Sequence, residues 1–437
     1  MSRQLSRRTW GILLAVVLVL ICGAGYWAWS RPEAGTKSAA SQDGSSLKAG
    51  TQAWKKTART APSKNAQWAP GTWFTPTSVV KAEPDMLTAY DLKSGERQWS
   101  MVLDGTLCSA SRDSDDGRVF LALDFGGTCG VVTAIDIRRG VQLWVGEVAL
   151  FTQDDPEMDN FRRDKWKVAP TVSVSGGRGL ITWATGTKVF ELSDGKLLAE
   201  ALREPSCEDV ATAGGAQFVT QRYCADRRAT VSAYDPKTLD HPRWKWQGKE
   251  GEMVYGILST RPVVLLVGNG IGVRTDVVTL DDKDGKERSR IALRRDHDSH
   301  SCSSSMSKCP EFLVDGDTVY IAGKGATRAF DLTTGHERWT YKADANRTAL
   351  PVAVQDGKLT VYVAATPERV GELATVATTN GKATHTTHLS GDLRTTESRL
   401  AHGRSMTAHL RGGRLLLVNE GSLESQDTDV VVAVMAG

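Results

Sequence analysis

Little in this sequence offers redox or metal chemistry. Its seven cysteines include no Cys-x-x-Cys, so neither a thiol redox couple nor the paired ligands of a zinc site can be read from it. Asp113, Asp115 and Asp116 precede Gly117 as in a calcium loop, yet no later acidic residue completes the EF-hand spacing, and an ordinary tight turn accounts for them. His297 and His300 stand near Asp296 and Asp298, but an exposed polar loop explains them equally well, while His385 and His388 are three apart on an expected strand and so face opposite ways. Charge of one sign is also lacking. With 54 basic residues against 51 acidic the net charge is only +3, which implies no strongly basic face and makes nucleic acid an unexpected partner.

Long apolar runs are nearly absent, with one exception. Residues 10–29 (WGILLAVVLVLICGAGYWAW) carry no charge and are long enough to cross a bilayer as a helix, with Trp10, Tyr26, Trp27 and Trp29 at interfacial depths. Arg3, Arg7 and Arg8 precede the run and favour a cytoplasmic tail over 1–9, a single-pass anchor in the cell membrane and an extracytoplasmic remainder. A cleaved signal peptide is the competing reading, because the apolar core 11–21 is short and small residues follow at 23–25. A lipid-modified Cys22 is disfavoured by Leu20 and Ile21 ahead of it. Residues 30–67 are rich in Ser, Ala, Gly, Lys and Thr, bury too little to offset their ordering cost, and read as a flexible linker before a domain over 68–437.

What that domain contains is a repeat. In LTAYDLKSGERQW (87–99) an apolar run ends in Asp91, Gly95 follows four residues on and Trp99 four beyond that. The run fits a strand, Lys-Ser-Gly a tight connection, and the residues up to Trp99 the start of an antiparallel strand. The Asp can accept backbone N–H groups in the turn, and the Gly can take a positive φ. Degraded copies align at Asp136 (with Gly140 and Trp144), Glu191 (Gly195), Asp235, Asp281 (Gly285), Asp331 (Gly335 and Trp339) and Ala377 (Gly381). Leu239 replaces one Gly, and Trp244 is displaced by one position. A spacing of roughly 45 to 55 residues suits four-stranded propeller blades and is too long for most helical repeats.

The pattern hydrophobic-x-Ala-aromatic-Asp-x-x-[Thr/Ser]-Gly-x-x-x-Trp resembles the repeat of the PQQ-like propellers. That family includes quinoprotein alcohol dehydrogenases and the propeller lipoprotein of outer-membrane barrel assembly, and the resemblance covers nearly everything after Gly71. It implies an all-β fold of four-stranded blades, here preceded by one transmembrane helix. For an enzyme it would further imply PQQ at the centre of the disc, a bound calcium, an Asp base and a disulfide between adjacent cysteines. This sequence has no adjacent cysteine pair, and the repeat motif matches no acidic residue to the base. No catalytic residue, cofactor or metal is therefore expected, PQQ-dependent oxidation being the alternative.

Taken in order, the strands after residue 71 make seven complete blades. SMTAHL, RLLLVN and VVVAVM then supply three strands of an eighth whose outer strand is missing. Residues ahead of Thr72 are expected to provide it and remove both open sheet edges, giving eight blades, with seven as the alternative.

Naming the strands A to D from the axis outward, D-to-A connections and B-to-C loops emerge on one face, and A-to-B and C-to-D turns on the other. All six cysteines beyond the anchor fall on the first face, and contacts within single blades favour Cys108 with Cys129, Cys207 with Cys224 and Cys302 with Cys309. An even count beyond a membrane segment suits disulfides in an oxidising compartment. The two longest connections lie on this stapled face, and they carry Phe161, Arg162, Arg163 and Trp166 in one and His297 and His300 in the other. Aromatic and Arg residues on stapled loops suit a protein interface. The expected function is a membrane-tethered scaffold that binds a protein or cell-envelope ligand through this face, a small-molecule sensor being the other non-enzymatic reading.

Overall fold

The computed structural model describes residues 48–58, 67–68, 71–125, 127–148, 170–183, 186–202, 207–269, 273–294, 309–344, 346–402, 406–423 and 428–436. All lie in one compact unit, 47–437. The expected tail, the span 10–29 and the third disulfide partner Cys302 fall outside the described residues. Among the described residues no helix is long and apolar enough to cross a membrane.

The unit is an eight-bladed propeller of antiparallel four-stranded sheets. Blade 1 is Thr72–Phe74, Ser78–Glu83, Met86–Asp91 and Arg97–Val102. Blades 2 to 7 span 106–147, 171–202, 207–247, 252–292, 312–342 and 349–388. Blade 8 takes Met406–Arg411, Arg414–Asn419 and Asp429–Met435 from the end of the chain, and its outer strand is Gln52–Thr57.

Second strands lie inside the stack, and those such as Arg118–Phe125 and Val263–Asn269 are accordingly apolar over most of their length rather than alternating. In Arg118–Phe125 the five residues 119–123 are fully buried. Val119, Leu121 and Leu123 pack toward blade 1, whereas Phe120 and Ala122 pack toward blade 3. The period of two thus feeds two cores at once.

The repeat motif is the hinge between blades. Gly95 N–H donates to Asp91 O (2.9 Å), and the same bond recurs from Gly140 to Asp136, Gly195 to Glu191, Gly285 to Asp281, Gly335 to Asp331 and Gly381 to Ala377 at 2.8–3.0 Å. The carboxylate is an addition to this backbone bond: Asp91 Oδ1 accepts the N–H groups of Lys93 and Ser94 at 2.9 and 2.8 Å. Each Gly takes positive φ, +72° at Gly95, and all but Gly335 receive the indole of the preceding blade's outer strand. Trp54 covers Gly95, Trp99 covers Gly140, Trp144 covers Gly195, Trp244 covers Gly285 and Trp339 covers Gly381. In four of these the indole N–H donates to the carbonyl just past the turn Asp position, as Trp144 does to Leu192 O at 2.9 Å. Where blade 5 offers Ser289 in place of Trp, its hydroxyl makes the equivalent bond to Leu332 O at 2.6 Å.

One boundary differs from the expectation. The linker read over 30–67 contains the outer strand of blade 8, so the propeller begins near residue 48 rather than 68. The physical reason is that Gly50 and Trp54 are the second half of the motif, Gly-x-x-x-Trp, cut off from its first half at the other end of the chain. Gly50 N–H donates to Met435 O (2.8 Å), closing across a chain break the bond that the other turns make locally. A short helix, Arg394–His402, also interrupts the connection from blade 7 to blade 8. Burial pushes the carboxyl of Glu397 up, and that carboxyl accepts the Tyr362 hydroxyl (2.5 Å) and the Gly371 N–H (3.3 Å).

Candidate functional site

Two disulfides staple the face opposite the repeat turns. Cys108, on the inner strand Thr106–Ala110, bonds Cys129 on the third strand Thr128–Asp136, with Cα atoms 6.0 Å apart. Both cysteines sit at irregularities of the ladder, which lets them meet across the second strand. Cys207 opens Cys207–Ala213 and stands directly opposite Cys224, the last residue of Phe218–Cys224, with Cα atoms 4.0 Å apart. Loops of this size contribute about 2 to 4 kcal/mol each. Cys309 is disulfide-bonded as well, its expected partner Cys302 being outside the described residues.

The stapled face carries an anchor that sequence reasoning missed. Phe125 ends the second strand of blade 2 and is 69% exposed, and Val102, ending the outer strand of blade 1 on the same face, is 74% exposed. The hairpin under Phe125 is held from two sides, by the Cys108–Cys129 bond and by Asp124, whose carboxylate accepts the Gly127 N–H at 2.8 Å. Every exposed large apolar side chain among the described residues belongs to blades 1 to 3: Val102, Phe125, Val141, Val145, Leu197 and Leu198. Phe161, Arg162, Arg163, Trp166, His297 and His300 lie outside the described residues. Phe125 escaped notice because an apolar residue at a strand end reads as core. Its position between Asp124 and the Gly126-Gly127 tip is the signal that could have marked it.

The axis holds a cavity of about 480 Å³, bordered by Arg261, Phe312, Pro351 and His409 among others. Arg112 crosses from blade 2 and donates through Nη1 to the carbonyls of Ile257 (2.9 Å) and Leu258 (3.4 Å) in blade 5, with its Nε on Asp113 at 3.1 Å. His409 stacks near Phe74, with ring centres 4.9 Å apart, and shares a hydrogen bond with Thr407 at 3.0 Å. Arg112 thus joins blades 2 and 5. Among the described residues no group of three or more His, Cys, Asp or Glu could hold a metal ion. The turns at Asp91, Asp136 and Asp331 with Gly95, Gly140 and Gly335 all lie on the other face, where their role is blade docking.

The family model described as outer membrane protein assembly factor BamB matches residues 44–158, 130–356 and 303–428, nearly the whole ring. Solved structures of similar fold include BamB from Moraxella catarrhalis (15% identity, 86% of this chain and 99% of that one, TM-score 0.48). A computationally designed protein, Ika8, is 12% identical over 89% of this chain and 99% of its own, with a TM-score of 0.53. The dihydro-heme d1 dehydrogenase NirN is 11% identical over 88% of this chain and 81% of its own, with a TM-score of 0.49. No curated protein sequence matches the chain.

Proposed function

Because the chain belongs to the family of the outer membrane protein assembly factor BamB, we propose that it is a protein-binding scaffold, tethered to the membrane through residues 10–29, that offers its stapled face to a protein of the cell envelope. Phe125 carries this reading. An aromatic side chain 69% exposed on a hairpin held by a disulfide and a turn hydrogen bond is a preorganised anchor, since binding it costs little further ordering. Val102, at the end of a strand on the same face of the neighbouring blade, is exposed as well. The reading is non-enzymatic, because the polar groups of the axis already bind each other and the blades' backbone.

The test is recovery of the full chain from its own envelope with its partners, comparing wild type with Phe125→Asp. The substitution is exposed and should change stability by less than about 0.5 kcal/mol, while removing the partner or lowering its yield about tenfold or more. An unchanged set of partners would refute the role of this face. PQQ- and calcium-dependent dye reduction by the purified protein would refute the non-enzymatic reading.

A further inference from the structure

The chain enters the propeller on the face of the repeat turns. Gly50 takes the place beside Met435 O that Gly95 takes beside Asp91 O, so the described chain begins on that face, with the apolar stretch 10–29 ahead of it in sequence. The turns around this entry point are basic. Blades 7, 8 and 1 present Lys358, Lys382, Arg411, Arg414 and Lys93, with Lys48 at the entry itself. All except the half-buried Arg414 are exposed, and none makes an ion pair among the described residues. Arg411 and Arg414 flank the Gly412-Gly413 hairpin, where Arg411 is propped 5.1 Å from the Phe74 ring centre. Carboxylates in the same turns are fewer: Glu96, Asp356 and Asp91, the last occupied by turn N–H groups.

The same face is different in blades 5 and 6. There the turns carry Asp281, Asp282, Asp284, Asp315, Asp317 and Glu337; Lys286 is paired with Asp284 at 2.6 Å and Arg338 with Asp331 at 2.5 Å, while Lys283 is exposed and makes no ion pair among the described residues. Single unpaired cations also stand in the turns of blades 3 to 5, at Lys196, Lys237 and Lys283, but they are densest in the sector where the described chain begins, with 10–29 ahead of it in sequence. Near an anionic leaflet such groups are attracted within about 10 Å of the surface.

We propose that the turn face of blades 7, 8 and 1 is a docking surface for anionic lipid headgroups, holding the propeller against the leaflet with its stapled face turned outward. The proposal rests on the tether reading above. It names a membrane rather than a soluble polyanion because the basic sector coincides with the place where the described chain begins, with 10–29 ahead of it in sequence.

The experiment uses the full chain in nanodiscs of phosphatidylcholine alone or with phosphatidylglycerol, read by hydrogen exchange at the turns 91–96, 378–382 and 411–414. With phosphatidylglycerol at low salt these turns should exchange about tenfold or more slowly, losing the protection at high salt, and each cation removed should lower it about fivefold. Lys382→Glu with Arg411→Glu and Arg414→Glu should abolish it, while unchanged exchange in the core strand Val263–Asn269 shows that the fold is intact. A chain that does not stay with the discs overturns the tether reading and the docking surface with it. A chain that stays but exchanges equally in both lipids overturns the docking surface alone. Equal protection by dextran sulfate added to neutral discs also overturns it, in favour of a polymer.

Discussion

The junction between blades 2 and 3 and the junction between blades 3 and 4 reach the same packing by opposite means. In the first, Trp144 lies across Gly195 and donates to Leu192 O. In the second, the outer strand offers Ala199 and the next turn offers Leu239, and the gap is filled with Leu180, Val189 and Phe218 against Tyr234. The two departures from the motif are therefore one departure. Here the large side chain in the turn is met by a small one on the strand that faces it.

Gly195→Val should break the first junction most severely. Its Cβ would lie 2.6 Å from the Trp144 ring and its φ is +75°, so overpacking and backbone strain combine to about 3 to 5 kcal/mol, measured by denaturant unfolding. If the loss is under about 1 kcal/mol, the indole does not need the glycine. A smaller effect is expected at the junction of blades 5 and 6, where Ser289→Ala leaves Leu332 O without its 2.6 Å partner. That should cost about 1 to 3 kcal/mol, and no change would make the hydroxyl incidental. The smallest effect concerns the turn carboxylate. The Arg338 guanidinium, followed by the turn N–H groups of Thr334 and Thr333, holds Asp331 down at about 2. Its folded value is below the ordinary carboxylate value of about 4, so its stabilisation is present above that pH and fades as pH falls through 2. Asp331→Asn should flatten the acid limb slightly between those values, and an acid titration followed by fluorescence checks this. If wild type and variant lose stability in parallel there, the carboxylate contributes nothing.

These contrasts also show what could be read beforehand. The turn at Asp91 and Gly95 was legible because every element of it is local, and the pairs Cys108–Cys129 and Cys207–Cys224 were legible because each closes within one blade. The closing strand was foreseen in kind but not in place. Gly50 and Trp54 repeat the spacing of Gly95 and Trp99, yet their preceding strand is Asp429–Met435, so no local pattern announces them. Phe125 was hidden for another reason: exposure at the end of a strand depends on what the neighbouring blades leave uncovered. The same holds for Lys382 and Arg411, far apart in sequence until the ring brings blades 7 and 8 side by side.

The strand Gln52–Thr57 has a consequence for the order of events in time. Its partner, Asp429–Met435, is the last of the described strands to be synthesised. Until then blade 8 does not exist, the indole of Trp54 has no sheet to belong to, and the growing molecule is an open fan with two bare edges rather than a disc. The entropy of joining its ends rises only slowly with the length between them; the hazard is the interval during which those edges can pair with another chain. Of the strands described, the first to be made is the last to be placed.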